Sequence, residues 1–198
     1  MRSFTLTPEG LLRQESWPPC HRHDGRQPVT SFETSALAVV VQAIQEIVRI
    51  REEWLRISGD DTVSSQWVAY AADSAAERAA NLLSDATELR VLIVQLDDVV
   101  HSLSKFDADD VADSCRQLAA TSLQYCSLLR EVLVSLSDIE KALANQLSLD
   151  GEPYSSMQFE ADLLHYQVAR RLSREAGTMM GRALDEASAS EGDDGKNR

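Results

Sequence analysis

One alternation constrains this chain more than any other feature. Val111, Cys115, Leu118, Ser122, Tyr125, Leu129, Val132, Leu136, Ile139 and Leu143 follow one another in steps of four and three without a break. Such steps return to the same side of an α-helix and average 3.5 residues, which is the seam of a helix paired with another. A seam of this length needs a partner, and one stands immediately before it. Leu82, Ala86, Leu89, Ile93, Leu96, Val100 and Leu103 step in the same way. Phe106 and Asp107 separate the two. Asp107 suits an N-cap, and Asp109 and Asp110 suit the positive end of the helix dipole. Two seamed helices joined by a short turn pack antiparallel.

The flanking sequence is helical too. Four of the five prolines (Pro8, Pro18, Pro19 and Pro28) lie in the first 28 residues, and after Thr30 only Pro153 interrupts. A span nearly free of helix breakers reads as long helices. The first is expected to begin near Ser31 to Thr34, with Leu37, Val40, Val41, Ile44, Ile47, Val48, Trp54 and Leu55 on its apolar side. SGDDT, residues 58–62, ends it. The second is expected from about Ser65 to Ser104, alanine-rich at first, so that a neighbour can approach closely. DGEPYSS, residues 150–156, leads from the third helix into the last.

That last helix carries Met157, Ala161, Leu164, Val168, Leu172, Ala176, Met179 and Ala183 at i, i+3 or i+4 spacing. The opposite side bears Glu160, Asp162, Gln167, Arg170, Arg171, Arg174 and Glu175. The apolar stripe must be buried against the chain itself or against a partner. The fold class is therefore all-α, an antiparallel bundle of about four long amphipathic helices. We expect a disordered leader over residues 1–30, the bundle over 31–187, divisible into 31–147 and 156–187, and a disordered acidic tail over 188–198.

Composition narrows the function. A net charge of −13 opposes phosphate backbones, and the small basic group Arg170, Arg171 and Arg174 does not offset it, so nucleic acid is not an expected partner. No run of about 18 apolar residues spans a bilayer. Acidity also opposes anionic lipid, which leaves membrane contact at most peripheral, through Trp54 and Trp67 beside the first turn. Three cysteines, an odd number, fit a reducing, cytoplasmic setting. Cys115 and Cys126 stand about 16 Å apart along one helix, too far to bridge, and read as small apolar side chains.

No chemistry of a site assembles. Neither a dinucleotide-binding nor a nucleotide-phosphate glycine loop occurs. Cys20, His21 and His23 lack the further ligands that zinc requires. A di-metal bundle site needs paired Glu-x-x-His motifs, and only Asp98 with His101 comes near. No cofactor, metal or catalytic activity is expected. Ser16 and Ser173 follow arginines in a spacing that basic-directed kinases accept.

Residues 161–176 read A-D-x-L-x-Y-x-x-A-x-x-L-x-x-x-A. This pattern resembles the first helix of a microtubule-interacting-and-trafficking (MIT) module. More narrowly, it is similar to the second of the tandem modules at the C-terminus of autophagy-initiating serine/threonine kinases. Val41 to Ile47 resembles the opening helix of the first such module, and Ala76-Glu77 through Leu83 its middle helix. The resemblance covers roughly residues 32–187. It implies a non-catalytic tandem helical domain that docks a scaffold subunit. The expected function is a protein-interaction domain in an autophagy or trafficking assembly, receiving an amphipathic helix from a protein partner. The residues expected at that contact are Leu164, Val168, Arg170, Arg171, Leu172 and Arg174 of the last helix, with Ile44, Ile47 and Val48 of the first. The alternative is a tether that self-associates into a homo-oligomer through the two seams.

Overall fold

Among the described residues, four helices follow from these patterns. The computed structural model describes residues 30–58, 74–105, 113–148, 151 and 153–194. Helix α1 spans Thr30–Ser58, α2 Ala75–Ser104, α3 Asp113–Leu147 and α4 Ser156–Asp194. Among the described residues there is no strand, and the fold is an all-α bundle. The expected leader, Ser16, the Cys20-His21-His23 group, Trp67, Val111 and the Asp107 cap lie outside the described residues.

The expected start of the second helix moves from Ser65 to Ala75. Ser74 is extended, at φ −63° and ψ 156°. Its hydroxyl accepts the Glu77 N–H at 3.3 Å, while the Glu77 carboxylate accepts the Ser74 N–H at 2.9 Å. This reciprocal capping box satisfies donors that a helix start leaves open. At the other end of the chain, α4 runs past Asp185 to Asp194, with Ala187 buried. Behind α3 the chain doubles back through Ser148 and Gly151. A Cβ at Gly151 would stand 1.6 Å from the Asn145 carbonyl oxygen, so only glycine fits this close approach.

Helix α3 contacts each of the other three. Its seam from Cys115 to Ile139 is buried throughout, and Leu118, Leu129 and Val132 are wholly enclosed. Each buried leucine contributes about 1.5–3 kcal/mol relative to exposure. The α2 seam meets it largely as expected: Leu82, Ala86, Leu89, Leu96 and Leu103 are buried. Leu92 and Val99, however, are buried in place of the expected Ile93 and Val100, which are only partly buried against the core. Register is antiparallel. Arg130 reaches Asp97 at 2.8 Å, and further along the Ser137 hydroxyl donates to the Ala86 carbonyl at 3.2 Å. Helix α1 runs antiparallel to α2, with Arg49 on Gln95 and Arg56 on Glu88. Val40, Ile47, Ile50 and Trp54 are its deepest core residues. Helix α4 runs antiparallel to α3, placing His165 beside Glu131 and Ser173 beside Tyr125. Cys115 and Cys126 are free, buried thiols, and burial pushes Cys126 up to about 12.

One buried group conflicts with this apolar interior. Glu140 of α3 is 2% exposed, and its Oε2 has no hydrogen-bond partner among the described residues. Burial, reinforced by the negative charge of Asp85, pushes its carboxyl from 4.5 up to about 8, with Lys141 pulling weakly the other way. The folded chain holds this proton across a range in which the unfolded chain has lost it. Stability therefore falls as pH rises from about 4.5 to about 8 and levels off above. Thermal melts across this window should show that decline in the wild type. Glu140→Gln should flatten it, with a gain at pH 8.5 on the order of 2 kcal/mol. A decline of equal size in Glu140→Gln would assign the pH dependence to other groups.

Candidate functional site

The rotation of α4 about its own axis decides what this molecule presents, and its first turn sets that rotation. The Ser155 hydroxyl accepts the Gln158 N–H at 3.1 Å, and the Ser155 carbonyl accepts the Phe159 N–H at 2.9 Å. The Tyr154 hydroxyl donates to Asp162 Oδ2 at 2.7 Å, and its ring meets Phe159 edge-on at 5.8 Å. So anchored, α4 turns Tyr166, Ala169, Ser173, Ala176, Met180, Ala183 and Ala187 into the bundle.

This corrects the apolar face read from the sequence. Of that stripe only Ala176 and Ala183 are buried, while Met157, Leu164, Val168, Leu172 and Met179 are between 43% and 81% exposed. The physical reason is bulk. Tyr125 of α3 stands against this face of α4, where Ala169, Ser173, Ala176 and Gly177 are small, while Tyr166 and Met180 fill the space at either side. Gly177 marks the fit, since a Cβ there would come within 3.2 Å of Tyr125 Cε2. The signal was present in the sequence. Tyr166, Ala169, Ser173, Ala176, Met180, Ala183 and Ala187 step 3,4,3,4,3,4, the rhythm of α3 in smaller letters. Val168, Leu172 and Met179 each precede a buried residue by one, so the exposed stripe lies about 100° around the helix from the buried one.

The residues expected at one contact separate into three places. Leu164, Val168 and Leu172 lie on the exposed stripe, and Arg171 is exposed beside it, bonded to Glu175 at 3.1 Å. Ile44 and Ile47 belong to the core, at 7% and 0% exposure, and are not available to a partner. Val48, Arg170 and Arg174 line a cleft of about 450 Å³ between α1, α3 and α4. There the Arg170 guanidinium sits over the Trp54 ring, 5.7 Å from its centroid. Trp54 is 5% exposed, which removes it from the shallow membrane role considered for it. Burial raises the Tyr125 hydroxyl, against the opposing charge of Arg51 and a hydrogen bond with Ser173. Ser173 is itself buried, so a kinase reaches it only if α4 detaches.

A second cleft, of about 350 Å³, lies between α1 and α2, with Glu46 and Asp98 on its walls and Arg49 bonded to its Glu46 and Gln95. Among the described residues, no three His, Cys, Asp or Glu side chains come close enough to hold a metal. None of the described helices is long and apolar enough to cross a membrane. The chain matches no family model, no curated protein and no solved structure.

Two glycines one turn apart test the α3–α4 interface. A Cβ at Gly181 meets nothing within 4 Å, so Gly181→Ala should gain the helix propensity of alanine, about 0.5–1 kcal/mol. Gly177→Ala must push against Tyr125 and should gain less or lose stability. Chemical denaturation of both variants measures the difference. An equal gain at both positions would mean that α4 lies looser on α3 than described.

Proposed function

We propose that this chain is a non-catalytic helical docking module, and that its partner lays an amphipathic helix along the exposed stripe of α4. The observation that carries this reading is the stripe itself. From Met157 to Met179 it runs for about 33 Å of helix, matching the length of a partner helix of roughly six turns. Large apolar side chains held in a continuous row on the surface mark interaction sites more often than scattered ones do. The row is flanked by charges of both signs, Glu160, Arg171, Glu175 and Arg182, which can set the register of the incoming helix.

The resemblance to tandem MIT modules supports the same reading. Within its pattern Tyr166, Ala169 and Ala176 serve the bundle, while Leu164 and Leu172 remain outside. The partner it implies is a scaffold subunit of an autophagy or trafficking assembly in the cytoplasm. Self-association is the competing reading. Most residues of the α2 and α3 seams are buried within one chain, so for a homo-oligomer we favour the α4 stripe as the contact over those seams.

A photo-crosslinking side chain at position 168 tests this in native lysate. The expected product is an adduct with a different protein. It should be lost, by at least about tenfold, when Leu164→Glu and Leu172→Glu are added, with the melting temperature little changed because both positions are exposed. An adduct of this chain with itself would replace the partner with a second copy. No adduct, or one that persists in the variant, would remove the stripe as a docking surface.

A further inference from the structure

The docking reading leaves one sequence motif unused. Arg170 and Arg171 precede Ser173 by three and two residues, the spacing that basic-directed serine kinases accept. In the folded chain every part of this motif is engaged. Ser173 is buried at the middle of the seam by which α4 lies on α3, and it shares a hydrogen bond with Tyr125. The Arg170 guanidinium lies over the Trp54 ring of α1, and Arg171 is bonded to Glu175. A kinase must hold the acceptor hydroxyl in line with the nucleotide's γ-phosphate, which a serine enclosed between two helices cannot satisfy. The motif is therefore complete in sequence and closed in structure.

The seam around Ser173 is one that can open. Ala169, Ala176 and Gly177 flank it and bury little apolar area beside the leucines of α2 and α3. Segments with few buried apolar contacts open at a cost below that of global unfolding. Once open, the reaction is ordinary phosphoryl transfer. A bond forms between Ser173 Oγ and the γ-phosphorus of a nucleoside triphosphate, and the bond from that phosphorus to the bridging oxygen breaks. The hydroxyl proton passes to the kinase's base and the nucleoside diphosphate leaves.

The product does not fit the closed seam. Phosphoserine carries a charge of about −1.5 to −2. The hydrogen bond with Tyr125 directs the Ser173 hydroxyl toward α3. On that side a Cβ at Gly177, one turn further along, would already come within 3.2 Å of the Tyr125 ring. Burying a charged group there is costly.

We propose that Ser173 is a phosphorylation site gated by the seat of α4: a basic-directed serine kinase modifies it only while α4 is off α3, and the phosphate then keeps α4 off. This rests on the α3–α4 seam and is independent of what the exposed stripe binds.

The full chain, incubated with ATP and the catalytic subunit of cyclic-AMP-dependent protein kinase, tests it. Mass spectrometry follows phosphate at Ser173, with a peptide of residues 165–181 as the ungated reference. The wild-type chain should react at least about tenfold more slowly than the peptide. Gly177→Val, which forces α4 away from Tyr125 while residues 118–136 stay protected from hydrogen exchange, should approach the peptide's rate. In the phosphorylated chain the amides of residues 159–187 should exchange at least about tenfold faster than before, with those of 118–136 unchanged. If too little product accumulates, Ser173→Glu replaces it in the exchange measurement, against Ser173→Ala. Four results would each overturn the proposal: equal rates in wild type and peptide, a Gly177→Val chain as slow as the wild type, no phosphate on Ser173 in the peptide, or α4 exchange unchanged by the phosphate.

Discussion

Helix α3 is packed against by each of the other three helices of this bundle. Its seam is wide enough to be covered from three directions, by α2, α1 and α4, and the side chains that form it are bulky and enclosed. Packing at near-crystalline density lets one helix dictate the side-chain sizes of its neighbours. Helix α2 answers with leucines in the same register, and α1 with isoleucine and tryptophan. Helix α4, which meets Tyr125, answers mostly with alanine and serine, with Tyr166 and Met180 among them. The exposed row of Leu164, Val168, Leu172 and Met179 lies about 100° around α4 from a buried seam of small residues that also seats Tyr166 and Met180.

The readable part of the fold was the part whose hydrophobicity and periodicity coincide. The α2 and α3 seams, their antiparallel pairing and the all-α class followed from steps of four and three alone. Helix α4 was misread because hydrophobicity and burial part company there. Leucine and methionine attract the reading, whereas the decisive residues are alanines, whose small size carries little hydropathy but permits close approach. The start of α2 was missed for another reason. The helix begins after Ser74 because the Glu77 side chain closes back on it, a reciprocal contact that apolar periodicity does not reveal. The cleft was half visible: Arg170 and Arg174 stood out as a basic group, but Arg51 and Trp54 join them only through tertiary packing, which no local spacing encodes.

Charge is distributed to the same pattern. Arg49, Arg56, Arg116 and Arg171 each pair with an acid one turn away, and such exposed pairs add little to stability. The two clefts beside α1 differ in lining, one carrying Glu46 and Asp98 and the other Arg51, Arg170 and Arg174.

The small-residue seam of α4 has a mechanical consequence. An alanine interface gains much of its adhesion from short-range dispersion, which decays within a fraction of an ångström as two surfaces part. A leucine interface loses contact more gradually, since long side chains can follow a retreating neighbour. Helix α4 should thus behave as a latch rather than a spring, either seated on α3 or released along much of its length. Whatever grips its outer row holds a rigid lever, and force applied there is transmitted to Tyr125 and Ser173 without being absorbed on the way.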